Sequence, residues 1–302
     1  FIDLRVSDQH YNASNFTAAY QSLERESTTV LNAQGPIILN YDLGLLARLS
    51  GDHARSNVLL SESERLIKEA YTRSISEGIA SFIVNDNTKA YAGTEYEDLY
   101  LNIFKALNYL ALGEEEGALV ELRRSLEKQT QLKAHHEMDL KSLASYAKQN
   151  NLPFDGSQTY ATSFSTSALA NHLAAIVAES LGDESMALYS QNQVAHAFST
   201  QPTLYPFGQP KATSLSAPEE GAGRLHLLIF TGRSPVKEER WEYIYLNRYD
   251  RVRIAYPVLT VQPSTVEAIS VRINETGQQT NLERIESLST IAIDTFAAQG
   301  QI

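Results

Sequence analysis

The chain has 302 residues and carries 25 Lys and Arg against 36 Asp and Glu, a formal net charge of -11, so nucleic acid and anionic lipid surfaces are expected to be repelled rather than gathered. There is no cysteine, which excludes disulfides, thiolate metal sites and a cysteine nucleophile. No apolar run approaches the roughly 18 residues needed to cross a bilayer, and the length predicts one large domain or two ordinary ones.

Residues 1 to about 200 are rich in Ala, Leu, Glu, Ser and Gln, with apolar positions at helical spacing, and predict an almost wholly helical region. Three places within it share one pattern: a helical apolar run, a Gly followed by an acid, and a second run that begins with small residues. They centre on Gly51-Asp52, Gly113-Glu114 and Gly182-Asp183. Each Gly can take the left-handed conformation that ends a helix, and the acid after it begins the next helix at its positive dipole end. Three helical hairpins are therefore expected.

From about 202 to 223 the composition shifts to Pro, Gly, Ser and Ala, which supplies turns and no periodic face. Beyond it Arg224 to Thr231, Val252 to Leu259 and Val266 to Ile273 are short branched runs that predict strands. Glu283 to Ala298 fits a terminal helix or a strand, and both readings stay open. The expected fold class is α+β, with a helical domain over 1–205, a linker over 206–223, and a small mixed-sheet domain over 224–302.

In each hairpin a small residue on the first helix (Gly44, Ala106, Ala175) stands twelve positions before one on the second (Ser56, Ala118, Ala187). This regularity resembles the tetratricopeptide repeat, with Tyr109 at its aromatic position. The turn glycines lie 62 and 69 residues apart, rather than one repeat length of about 34, so the intervening helices depart from the repeat pattern.

The stretch Asn85-Asp-Asn-Thr-Lys-Ala-Tyr-Ala-Gly-Thr-Glu-Tyr-Glu, with Lys105 to Gly113, Ala118 to Arg124, Gly232 to Glu239 and Ile254 to Val258, resembles an uncharacterised family of bacterial tetratricopeptide-containing cell-envelope lipoproteins. The resemblance implies an exported periplasmic protein, held at the outer membrane by a lipidated N-terminal cysteine that precedes this sequence. The opening at Phe1 rather than Met fits an initiating segment outside it. The expected function is a non-enzymatic protein-binding scaffold or structural subunit of an envelope assembly. The alternative is a lipoprotein regulator that binds and activates a cell-wall synthesis enzyme. Partners would be other envelope proteins or further copies of the chain, with membrane contact only through the lipid and no cofactor.

A tetratricopeptide hairpin turns one face of its first helix toward a concave groove. Here that face presents Ile38, Tyr41, Leu45 and Leu49 in the first hairpin, and Tyr100, Ile103, Leu107 and Leu110 in the second. Such an apolar lining must be covered, either by helix 131–150 or the C-terminal domain, or by a partner's helix or extended peptide. Asn85, Asp86, Tyr91 and Tyr96 form a polar-aromatic loop that would cap a helix or contact a partner. Arg123 and Arg124, with Arg73 and Lys105, would meet an acidic partner or simply lie solvated on a helix surface. His135-His136-Glu137 is the only histidine cluster, but adjacent residues on a helix diverge by about 100°, so no metal set is expected from it. No catalytic residue is assigned.

Overall fold

The computed structural model describes residues 5–77, 91–149, 164–211, 220–245, 250–274 and 277–299. The described chain is mostly helical with a small strand region near its C-terminal end, an α+β fold. It forms two compact units, Phe1–Asp139 with Ala170–Asn192, and Leu140–Leu169 with Gln193–Ile302.

The first unit begins with α1 (Arg5–Asn12), α2 (Phe16–Arg25) and α3 (Ser27–Gln34), followed by α4 (Pro36–Leu49) and α5 (His53–Glu77). Pro36 opens α4, where its fixed φ suits the first turn and its missing N–H costs nothing. Ala19, Leu23, Val30, Leu39, Leu43, Leu46, Ala47 and Leu59 form one buried cluster. Ile37, Leu60, Ile67 and Leu101 form a second, which joins α4 and α5 to α6 (Glu95–Ala111). Between α4 and α5 the backbones approach so closely that a Cβ on Gly44 would stand 2.7 Å from Leu60 Cδ2. Leu60 is itself fully buried and has nowhere to retreat.

The three Gly-acid turns are built alike. Gly51, Gly113 and Gly182 have φ of 88°, 78° and 76°. In each, the Gly N–H and the following acid's N–H return to carbonyls of the ending helix: Gly51 to Arg48 and Asp52 to Ala47, Gly113 to Leu110 and Glu114 to Tyr109, Gly182 to Glu179 and Asp183 to Ala178. This is the double bond pattern of a Schellman close. The next helix then starts on the acid, whose carboxylate accepts the N–H three residues on in two of the three, Arg55 to Asp52 at 2.9 Å and Met186 to Asp183 at 3.0 Å. The hairpins so made are α4–α5, α6 with α7 (Glu115–Gln149), and α8 (Ala168–Ser180) with α9 (Glu184–Thr200). All six small residues singled out by their twelve-residue spacing are buried. Residues 131–149 continue α7 without a break, rather than forming the separate helix expected there.

The second unit is tied together by side chains that close the N-terminal end of α8. Glu286 accepts from Ser167 Oγ at 2.9 Å and from the Leu169 N–H at 3.3 Å, placing a carboxylate at the positive end of the helix. Tyr205 donates to the same carboxylate at 2.7 Å, and burial beside Glu286 pushes its phenol up. Gln201 holds the preceding turn through the Ser165 N–H at 2.7 Å and the Thr166 carbonyl at 2.9 Å.

The strands differ from expectation in three ways. Arg224 to Thr231 forms no strand; it finds no ladder partner and leaves Leu225 79% exposed. A ten-residue strand, β1 (Val236–Tyr245), pairs antiparallel with β2 (Arg251–Thr260) from Val236↔Thr260 to Tyr245↔Arg251. Of Val266 to Ile273, only β3 (Ser270–Arg272) is a strand, paired with β4 (Gln279–Asn281). Among the described residues the result is two separate antiparallel pairs rather than one mixed sheet. The open choice at the end resolves to a helix, α10 (Leu288–Gln299), seated by Ile291 and Ala292.

Candidate interaction surface

The apolar face expected on the first helices divides along its length. Tyr100 and Ile103, in the first half of α6, are 2% and 0% exposed and belong to the interior. Tyr41 is partly buried against the second core cluster, and its hydroxyl donates to the Glu97 carbonyl at 3.3 Å. Toward the other end the face opens: Leu45, Leu107 and Leu110 are partly exposed, and Leu49 is 45% exposed.

Those open turns belong to adjacent helices. Buried Asn108 on α6 accepts from Arg48 at 2.7 Å and donates to Ser56 Oγ at 2.8 Å and Asn57 Oδ1 at 2.9 Å, which fastens the α4–α5 turn to α6. Partial burial pulls the Arg48 guanidinium below its ordinary value. The Arg48–Asn108 hydrogen bond thereby links the last turn of α4, which carries Leu49, to the turn of α6 that carries Leu107 and Leu110.

Lys105 is no surface cation. It is 2% exposed and lies 2.6 Å from Glu64 and 2.9 Å from Glu121, itself 5% exposed. Lys128 bridges Glu64 and Asp98, each at 2.7 Å, and Asn102 donates to both glutamates at 3.0 and 2.7 Å. Burial alone would raise the Glu64 carboxyl, but Lys128 and Lys105 outweigh it and hold it at about 2. The set links α5, α6 and α7 and positions the helices, with the Asn102 Oδ1 buried and accepting no hydrogen bond among the described residues.

Arg124 pairs with Glu121 at 2.8 Å and Arg123 with Asp183 at 2.9 Å, each about half exposed. Arg123 therefore carries part of its charge inward to the third hairpin, and neither arginine is a free anion receptor.

Tyr91 and Tyr96 are brought together with Tyr41 around Glu97. The Glu97 carboxylate accepts the Thr94 N–H at 2.8 Å and the Tyr91 hydroxyl, so it caps α6 and pins the loop before it. Burial and the Glu97 charge push Tyr96 up to about 12. They also push Asp42, with a smaller contribution from Asp8, up to about 7. Asn85 and Asp86 lie outside the described residues, as do the side chains of His135, His136 and Glu137. Among the described residues no three His, Asp or Glu side chains gather as a metal set.

Among the described residues a further open apolar surface involves β1, a strand that the sequence pattern did not mark. On the β1–β2 ribbon, Trp241, Tyr243, Ile244, Tyr245, Val252 and Ile254 are all at least 40% exposed. The signal available was the aromatic alternation Trp241, Tyr243, Tyr245, which is the period of a strand; the charges of Lys237 to Arg240 before it interrupted the apolar run. No family model, no curated protein and no solved structure matches the chain.

Proposed function

We propose that the chain is a non-enzymatic scaffold of the tetratricopeptide kind, docking partner proteins within a bacterial cell-envelope assembly. The observation that carries this reading is the open end of the α4/α6 face, where Leu45, Leu49, Leu107 and Leu110 meet solvent beside the Arg48–Asn108 clasp. It is supported by three hairpins with one turn chemistry and buried small residues at one spacing, the arrangement that lets helix pairs stack closely. An apolar strip of this kind suits a partner's amphipathic helix or extended segment.

Placement in the periplasm, with a lipid at an N-terminal cysteine upstream of this sequence, rests on the resemblance in residues 85–124 and 232–258. The partners are then other envelope proteins or further copies of the chain. Nucleic acid is a poor partner for a chain of net charge -11.

Capture from detergent-solubilised envelope tests the reading. Leu49→Glu with Leu110→Glu places two charges on the open strip at positions that are not in the interior, so the helical signal and melting profile should be retained. A discrete partner set should co-purify with the unsubstituted chain and be lost from this variant by tenfold or more, the scale of two buried anchor residues. Retention of the same partners by the folded variant would place docking elsewhere.

A further inference from the structure

Every residue of β1 is exposed, and the edge it turns away from β2 pairs with no other strand among the described residues. A free edge presents a row of N–H and C=O groups that templates pairing with a further strand, and a ribbon of two strands is marginal by itself. The other edge of the ribbon is less suited to this. A ladder tolerates proline where its missing N–H faces outward, so Pro257 leaves the outer edge of β2 a donor short, whereas β1 contains neither proline nor glycine.

The charges along β1 point to what the incoming strand is. Two antiparallel strands related by a two-fold axis set outward-turned residues opposite outward-turned ones, so the axis lies between one residue and its own copy. Centred on any of the charged residues Lys237, Glu238, Glu239, Arg240 or Glu242, the pairing puts that charge against itself. Centred near either end, it keeps only a few residues of the strand. Centred on Trp241, it sets Arg240 opposite the second copy's Glu242 and Glu242 opposite the second copy's Arg240, and no like charges stand directly opposite. The strand is therefore complementary to itself in one central register.

That register also suits the two faces. Side chains alternate along a strand, so Trp241 meets its own copy and Tyr243 lies opposite Glu239 on one face. There the Arg253 guanidinium stacks 3.7 Å from the Trp241 ring centroid, and that of Arg251 4.5 Å from Tyr243. On the other face Arg240 and Glu242 of the two copies alternate as a square of four charges, with Ile244 opposite Glu238. Tyr256 donates to Glu242 and Thr260 Oγ1 to Glu238, so β2 already holds both carboxylates on that face.

We propose that β1 pairs antiparallel with β1 of a second copy about a two-fold axis at Trp241, forming a four-stranded sheet with β2 outermost on each side. The contact is the same patch on both copies and closes at two, with Pro257 on each outer edge opposing further growth. It shares no residue with the α4/α6 strip, so failure of one reading leaves the other standing.

The chain has no cysteine, so introduced ones report the register directly. In the purified full chain, Trp241→Cys should oxidise to a disulfide-linked dimer about tenfold faster than Ile244→Cys, because only residues directly opposite bring their Cβ atoms to about 4.5–5.5 Å. Glu239→Cys mixed with Tyr243→Cys should join as a heterodimer, and neither should join efficiently with itself. Sedimentation of the cysteine-free chain should give a dimer that Arg240→Glu weakens about tenfold or more, by two like-charge contacts per dimer, and that the further change Glu242→Arg restores. A chain that stays monomeric, a dimer indifferent to Arg240→Glu, or one that the double exchange fails to restore would overturn the proposal. So would Trp241→Cys adducts formed in cells only with another protein, which would give the edge a different occupant.

Discussion

Replacing Lys105 by Ala is expected to destabilise the first unit by about 2–3 kcal/mol, a large share of the stability of an ordinary domain. The reason is what stays behind. Glu121 is 5% exposed and Glu64 20%, and both keep charges that Lys105 now neutralises at 2.9 and 2.6 Å. The attraction between these groups does little more than offset the cost of taking them out of water, so the set contributes little net stability. Breaking it takes the buried cation from both glutamates and leaves nearly buried Glu121 only the half-exposed Arg124 for a cation, while Glu64 keeps Lys128. Lys105→Met combined with Glu64→Gln and Glu121→Gln removes the charges together and should recover most of the loss. Urea unfolding of the three proteins measures this: a Lys105→Ala loss below about 1 kcal/mol would show that Lys128 and Arg124 neutralise the glutamates without Lys105.

Asp42→Asn is expected to act in the opposite direction and only at higher pH. Burial first, and then Glu97 and Asp8, raise the Asp42 carboxyl from 3.8 to about 7. At about pH 3 it is protonated whether the chain is folded or not, and contributes no difference. As pH rises from about 4 toward 7 the unfolded chain releases the proton first, so the folded state loses stability across that window. Near pH 8 the cost is about 2–4 kcal/mol, from three units at about 1.4 kcal/mol each, reduced for partial exposure. An asparagine carries no charge to bury. Thermal unfolding should therefore find the variant more stable than the parent near pH 8 and equal to it near pH 3. An effect of the same size at both pH values would mean that side-chain hydrogen bonding, not charge, sets the difference.

The features legible in the sequence are those that a short stretch of chain decides by itself. Gly51, Gly113 and Gly182 stand in the left-handed region because each turn needs a residue without a Cβ, and the acid after each follows from the next helix's exposed N–H groups. The small residues twelve apart are buried because helix crossings recur with the hairpin's length. Features that need three elements at once were not legible. Lys105 looks like any basic residue on an amphipathic helix until α5 and α7 bring Glu64, Glu121 and Lys128 to it. Glu286 closes the start of α8 from 119 residues beyond Ser167, and no local pattern announces it.

The strand region misled in both directions for one reason. Apolar β-branched runs mark strands that one neighbour or another will bury. Arg224 to Thr231 has such a run but no ladder partner, whereas Val236–Tyr245 has a full partner and carries Lys, Glu and Arg over half its length. Pairing, not hydrophobicity, made the strand. On the helical face, the apolar pattern reads as one continuous lining, yet Tyr100 and Ile103 fill the interior while Leu49 does not. The divide follows from where α6 passes under the α4–α5 turn, which no spacing rule contains.

The proposed docking strip is tested most directly by placing a photo-crosslinking residue at Leu49 in the full-length protein in living cells, and separately at Val58, a 60% exposed position on the other helix of the same hairpin. The scaffold reading predicts a discrete, heavier adduct from Leu49, lost when Leu45→Glu is added, and none from Val58. Adducts from Val58 alone, or from neither position in a folded protein, would contradict it.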